Sequence, residues 1–369
     1  MTYLVAILGL AALMIVHEAG HYFAARAFGL RVTKFSIGFG PTFFRIQPDA
    51  GFWTFVSFGD RVKVKLFKHD PERHGPTVFQ VAMIPFLAYV QIAGMNPLED
   101  IDPRDRGSYA NAGIWARIAT IFAGPAANYV FASVFLFFPF YIEGMDQRGA
   151  PTQVTVSEGA PAAAAGLRDA DVILSIDGEP IATFEDLSTK VQAAADKEVP
   201  FVVKRDGAEV TIPIKPQYTE SCGKICIGVR PYVERVPLSA GEAAKHAVLE
   251  PPVVVKNMLV ALTDLARGKS EEKLGGPARM VQEIKKVADH GWARFITLLG
   301  ALSAYLAAFN LLPVPALDGG RLMFLSYEAA TRKRANPTVE AHIHAIGLVM
   351  MLGLMIYVTF ANDIPGLLK

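Results

Sequence analysis

Three ionisable residues stand at metal-site spacing inside an apolar stretch. His17, Glu18 and His21 read H-E-A-G-H within IVHEAGHYFA, residues 15–24. On an α-helix, positions i and i+4 lie about 40° apart in rotation and about 6 Å apart along the axis. Both imidazoles then point to one side and can share one metal ion. Glu18 is turned about 100° from His17, off the ligand line but still beside a metal-bound water. Two His ligands with a Glu as general base form the zincin arrangement, which a third ligand from elsewhere completes. Zinc brings the pKa of its bound water toward ~7, so hydroxide is available at neutral pH. The competing reading is a buried His–Glu–His set that only hydrogen-bonds between helices. An ionisable group near the bilayer centre costs about 2.5–3.5 kcal/mol, and an interhelical hydrogen bond returns only about 0.6 kcal/mol. Zinc binding can contribute about 10–16 kcal/mol, so the metal reading is favoured.

The third ligand must come from another segment. The stretch AFNLLPVPALDGGRLMF, residues 308–324, contains Pro313 and Pro315, which cannot continue a helix. The backbone therefore opens there, and Asp318 follows directly, beside Gly319 and Gly320. A carboxylate on a broken intramembrane helix suits an ion already held by two imidazoles. A simple Asp-Gly-Gly turn with a helix cap explains the same residues. From the residues alone, both readings stay open.

The elements that carry these residues are membrane spans. The chain has 369 residues, of which 52% are hydrophobic and 19% charged, with a net charge of +1. That near-neutral charge argues against a nucleic-acid binder, since no basic stripe is available to neutralise phosphates. Four apolar stretches approach the about 20 residues needed to cross a bilayer: residues 3–28, 118–141, 295–312 and 343–360. No Lys or Arg precedes Arg26, which favours an uncleaved first span over a signal peptide. Basic residues cluster at Arg26, Arg31 and Lys34, at Arg104, Arg106 and Arg117, and at Arg321, Arg332, Lys333 and Arg334. The positive-inside rule then puts residues 29–115 and 321–340 in the cytoplasm and the long 143–292 loop outside.

These motifs resemble the site-2 protease family of intramembrane zinc metalloproteases, with bacterial members of the regulator-of-sigma-E-protease type as the nearest likeness. The resemblance rests on H-E-A-G-H in the first span and N-L-L-P-V-P-A-L-D-G-G, residues 310–320, in a later one. Gly38-Phe-Gly-Pro41, residues 122–128 (FAGPAAN) and Leu274-Gly-Gly-Pro277 extend it over nearly the whole chain. It implies zinc held by His17, His21 and Asp318, with Glu18 as base. It assigns Asn310 to the substrate backbone or the oxyanion. Asn128, Gly38 and Gly40 are candidates for contact with substrate, and for Asn128 a helix-packing hydrogen bond is an equal alternative. It further implies a single-pass membrane protein as substrate, an anti-sigma factor already cut once outside, and residence in a bacterial inner membrane. Relatives carry Gly-Gly-Tyr-Val after a proline in the cytoplasmic loop. Here the stretch is Pro85-Phe-Leu-Ala-Tyr-Val90, which puts strand-edge docking there in doubt.

Within the long loop, residues 166–178 match G-L-x-x-x-D-x-I-x-x-I-D-G, and a hairpin signal sits at Asp206-Gly207. This resembles a single PDZ domain, which would capture an extended peptide or a C-terminus or simply obstruct the site. Cys222 and Cys226 pair in an oxidising compartment or stay free; the sequence leaves both open. Residues 251–268 read as an amphipathic helix on the membrane surface. His69, His74, His246, His290, His342 and His344 show no partner pattern. Alternation at residues 62–66 and the aromatic runs of 31–67 predict a sheet, which must line a cavity because lipid forbids open strand edges.

The expected architecture is a polytopic α-helical membrane protein with four transmembrane helices, a membrane-associated β region and one inserted PDZ domain. The expected segments are 1–30, the β region and loop at 31–115, 116–143, the PDZ domain at 150–235, 236–292, 293–328 and 340–361. The alternatives are a non-proteolytic membrane scaffold with a structural metal site and, less favoured, an ion transporter.

Overall fold

A computed structural model describes residues 2–57, 59–219, 222–268, 275–289 and 291–367. Leu274 and His290 lie outside them. The chain divides into two compact units, Met1–Phe140 with Ala240–Lys369, and Tyr141–Ser239.

The first unit begins with helix α1, Thr2–Ala27. The chain then turns into a four-stranded sheet of order β3-β2-β1-β4. Its strands are β1 (Val32–Asp49), β2 (Phe52–Ser57), β3 (Val62–Lys68) and β4 (Val78–Ile92), with a short helix α2 (Pro71–His74) before the last. β1 and β4 are long because each folds over on itself. Residues 32–37 pair with 92–88, and residues 42–46 pair with 82–79. Residues 34–37 pair a second time, with 78–81. The fold-over in β1 falls at Gly38 and Gly40, whose φ angles of 90° and 94° suit residues without a Cβ. The outermost strand segment is therefore Ala88–Ile92. β3 is exposed along its length.

Helix α3, Ile114–Glu143, follows and keeps Pro125 and Pro139 inside it. Transmembrane helices tolerate such prolines because neighbouring groups satisfy the freed carbonyls.

The second unit has β5 (Met145–Arg148), β6 (Val154–Val156), α4 (Pro161–Ala164), β7 (Val172–Ile176), β8 (Glu179–Pro180), α5 (Phe184–Ala193), β9 (Val199–Arg205) and β10 (Ala208–Ile214). Short strands β11 (Gln217–Thr219), β12 (Lys224–Cys226), β13 (Val229–Pro231) and β14 (Val233–Val236) complete it. Its main sheet runs β10-β9-β7-β8, and β5–β14 and β6–β13 pair as separate ribbons. The core packs Leu167, Ile173, Ile176, Leu187, Phe201 and Ile214. α5 opens on a capping box between Thr183 and Asp186, which satisfies amide groups left free at a helix start. Buried Asp171 receives Arg205 through Nε at 2.9 Å and Nη2 at 2.7 Å. Cys222 and Cys226 are joined by a disulfide.

The chain returns to the first unit with α6 (Ala240–Ala266), α7 (Pro277–Asp289), α8 (Trp292–Leu311), α9 (Asp318–Thr331), α10 (Pro337–Val358), a π-helical turn at Thr359–Asp363 and α11 (Ile364–Leu367). The apolar run after Pro251 is not a separate helix. It is the later part of the 27-residue α6, with Pro251 and Pro252 inside, and α6 packs on α8. Four helical segments are long and apolar enough to cross a membrane: Val5–Ala27, Ile114–Glu143, Trp292–Leu311 and Pro337–Asp363. The break between α8 and α9 contains Pro313 and Pro315, so Asp318 begins a helix of its own.

Candidate metal centre

α1 carries His17 and His21 one turn apart, and both are buried, at 7% and 6% exposure. Asp318, the first residue of α9, meets them. Its Oδ2 lies 3.1 Å from His17 Nε2 and 3.3 Å from His21 Nε2. The two Nε2 atoms are 3.2 Å apart. A tetrahedral site with bonds of about 2.0–2.2 Å needs ligand atoms about 3.4 Å apart, so this triangle has nearly the right edges.

Proton accounting supports a cation at its centre. His21 Nδ1 lies 2.8 Å from the Thr120 carbonyl, which can only accept, so in the neutral ring Nδ1 carries the proton and Nε2 is a bare lone pair. Asp318 Oδ2 is buried without a hydrogen-bond partner among the described residues. Acceptors thus face one another. A shared proton bridges one pair of them, whereas a divalent cation joins all three.

Close helix packing makes this possible. A Cβ on Gly124 of α3 would fall on the His21 imidazole, and a Cβ on Gly319 would fall on the Leu311 and Leu312 carbonyls. α1 and α3 approach closely because neither Gly124 nor Gly20, whose Cβ would fall on the Ala123 carbonyl, has a side chain, and the lack of one on Gly319 keeps the α8–α9 turn tight.

Glu18 is half-buried beside the cluster and interacts with the main-chain amide of Val90. The outermost strand segment, Ala88–Ile92, therefore stands next to it. A cavity of about 450 Å³ borders this segment, between Tyr89, Ile92, Asn96, Arg321, Glu340 and His344. The edge thus persists although Phe86-Leu87-Ala88 replaces the expected glycines.

Other expected residues are placed differently. Asn128 has 0% exposure, and its Nδ2 faces His17 Nδ1 at 3.1 Å, a contact between helices of the kind given as the alternative to substrate binding. Asn310 donates to the Leu306 carbonyl of its own helix at 3.0 Å. Gly38 and Gly40 shape the β1 fold-over. His69 is buried and has a partner, its Nε2 lying 2.8 Å from the Gly75 carbonyl. His344 has a partner after all. The Ala316 amide donates to its Nδ1 at 2.9 Å, two residues before Asp318, where Ala316 itself has φ of 73°. No spacing rule reveals a side chain that holds a main-chain amide in another segment.

The chain matches the family profile of Peptidase family M50 over residues 5–65 and 52–354. It belongs to that family, the site-2 protease family. Provisionally named zinc metalloproteases resemble it end to end. One from Rhizobium meliloti is 32% identical over 96% of this chain and 94% of its own length. One from Agrobacterium fabrum is 31% identical over 98% and 95%, and one from Clostridium acetobutylicum is 26% identical over 97% and 96%. This M50 member is accordingly a membrane-protein peptidase by family.

Proposed function

We propose that the chain is an intramembrane zinc endopeptidase in which His17, His21 and Asp318 hold the ion and Glu18 is the general base. The observation that carries this reading is the convergence of three acceptor atoms at tetrahedral spacing, with Glu18 alongside. Bound zinc would polarise the scissile carbonyl and acidify water. Glu18 would take a proton from the attacking water and deliver it to the leaving amine. Burial of the cluster between α1, α3 and α9 keeps bulk water from the reacting atoms.

A substrate helix hides its amides in its own hydrogen bonds, and hydrolysis needs it extended. The outer side of Ala88–Ile92 has no strand partner among the described residues, and it would pair with the unwound segment beside Glu18. The substrate class is a single-pass membrane protein, and an anti-sigma factor after a first extracytoplasmic cut fits that class. The unit Tyr141–Ser239 is read as a PDZ domain on the extracytoplasmic side of a bacterial inner membrane, limiting access by bulky ectodomains or binding an exposed chain end. Support comes from its G-L-x-x-x-D-x-I-x-x-I-D-G stretch and its sheet-and-helix core.

The test is metal analysis and cleavage of a membrane substrate with purified protein. Wild type should carry one zinc, His17→Ala none, and Glu18→Gln should keep zinc while losing cleavage. Zinc-loaded Glu18→Gln with undiminished cellular function would identify a scaffold instead. Wild type without zinc would end the proposal. A proline substitution at Ala88 or Val90, whose amides alternate to the side away from β1, that left cleavage intact would remove the strand-edge part.

A further inference from the structure

The environment of His17 differs from that of His21 in one respect. Nδ1 of His21 has a carbonyl to donate to, which leaves Nε2 free to ligate. His17 needs the same proton arrangement, because its Nε2 faces the same point. Its Nδ1 faces the Asn128 side-chain nitrogen at 3.1 Å. That nitrogen is a donor, and a donor cannot satisfy Nδ1–H. Meanwhile the other end of the same amide, Asn128 Oδ1, is buried with no partner among the described residues. The two ends of an asparagine amide have nearly the same shape, so the partners decide its orientation. A half-turn of the amide gives Nδ1–H an acceptor and gives the orphaned oxygen a donor.

We propose that Asn128 is a positioning residue that presents its amide oxygen to Nδ1–H of His17 and thereby holds Nε2 as the ligating nitrogen. This rests on the zinc reading above. α3 then sets both imidazoles, through the Thr120 main chain for His21 and the Asn128 side chain for His17. Asn128 is anchored from its other side, since Ser303 of α8 donates to its main-chain carbonyl at 2.8 Å. Outer partners of ligating histidines typically contribute about 10–100-fold to metal affinity.

The experiment measures zinc affinity of the full-length, detergent-purified chain by competition with a chromogenic chelator, for wild type, Asn128→Asp and Asn128→Leu. Asp keeps an acceptor and lacks a donor; Leu has neither and a similar volume. The expected result is affinity within a few-fold of wild type for Asp, and a loss of about 10–100-fold for Leu. A loss in Asp as large as in Leu would mean that the amide nitrogen is the working end and would overturn the proposal. Wild-type affinity in Leu would overturn it equally. Circular dichroism of the metal-free proteins checks folding, and if Leu does not fold, the Asp result decides alone. Absence of zinc from the wild-type protein would instead refute the zinc reading itself.

Discussion

At the scale of single residues, the centre is an exercise in pairing acceptors. His17, His21 and Asp318 bring three of them together, and Glu18 adds a carboxylate off the ligand line. Replacing Glu18 by Gln keeps its shape and removes its basicity. Cleavage should fall by about 10²–10⁴-fold, with zinc content by mass spectrometry unchanged. His344 acts one step further out, through the Ala316 amide. His344→Ala leaves that amide unpaired, at a cost of about 1–3 kcal/mol, and loosens the loop that presents Asp318. Zinc affinity should drop, while His342→Ala, whose ring bonds its own helix at Thr338, should bind zinc normally. His17, Glu18 and His21 were legible because helix geometry turns spacing into a common face. Asp318 was only half legible, since a turn explains the same residues. Asn128 was half legible, since a helix-packing hydrogen bond stood beside substrate contact, and His344 was not, because its partner depends on which neighbouring segment it meets.

Asp171 in the second unit supplies a pH test of the same kind. Burial pushes its carboxyl up, but the Arg205 guanidinium and the Arg168 amide hold it below the ordinary carboxylate range overall. A lowered folded-state pKa means stability that is full above the unfolded value of about 3.9 and is lost as pH falls through the folded value. Urea-dependent proteolysis within 141–239 should show a stability loss on acidification below about pH 4 that Asp171→Asn lacks, the variant being weaker already at neutral pH.

At the scale of elements, the site depends on how close helices can come. Gly124→Val would drive a side chain into the His21 ring; overpacking costs about 1–3 kcal/mol, and the displaced imidazole should show as zinc loss in metal analysis. α7 gains a cap from far along the chain. Asp363 accepts from the Gly276 amide at 2.7 Å and from the Arg279 amide at 3.4 Å. Asp363→Ala should cost about 0.5–2 kcal/mol, and the first turn of α7 should exchange its amides faster in hydrogen-exchange mass spectrometry. The apolar spans were legible because a bilayer demands long uninterrupted runs. The β region was legible as strands but not in its path. Residues 34–37 pairing with both 88–91 and 78–81 is a non-local outcome, set by turns at Gly38 and Gly40. The sequence suggests a helix starting at Pro251, because two adjacent prolines look like a boundary, yet α6 begins well before them and they lie inside it.

At the scale of the whole molecule, the first unit is built from both ends of the chain, with the second unit inserted between them. The sequence placed an inserted domain at 150–235, and the compact inserted unit runs Tyr141–Ser239, while the family relationship was carried by motifs spread across nearly the full length. Arg117 of α3 and Glu328 of α9 pair through the two terminal guanidinium nitrogens, one at 2.9 Å, and tie the two parts of this unit together.

Asp318 follows His21 by nearly three hundred positions, and the His344 that steadies its loop follows later still. During synthesis, the early imidazoles enter the bilayer long before their carboxylate partner has been translated. Under the proposed assignment, an unfinished or truncated polypeptide harbours no competent hydrolase, so the order of translation itself guards neighbouring membrane proteins until the last spans have docked.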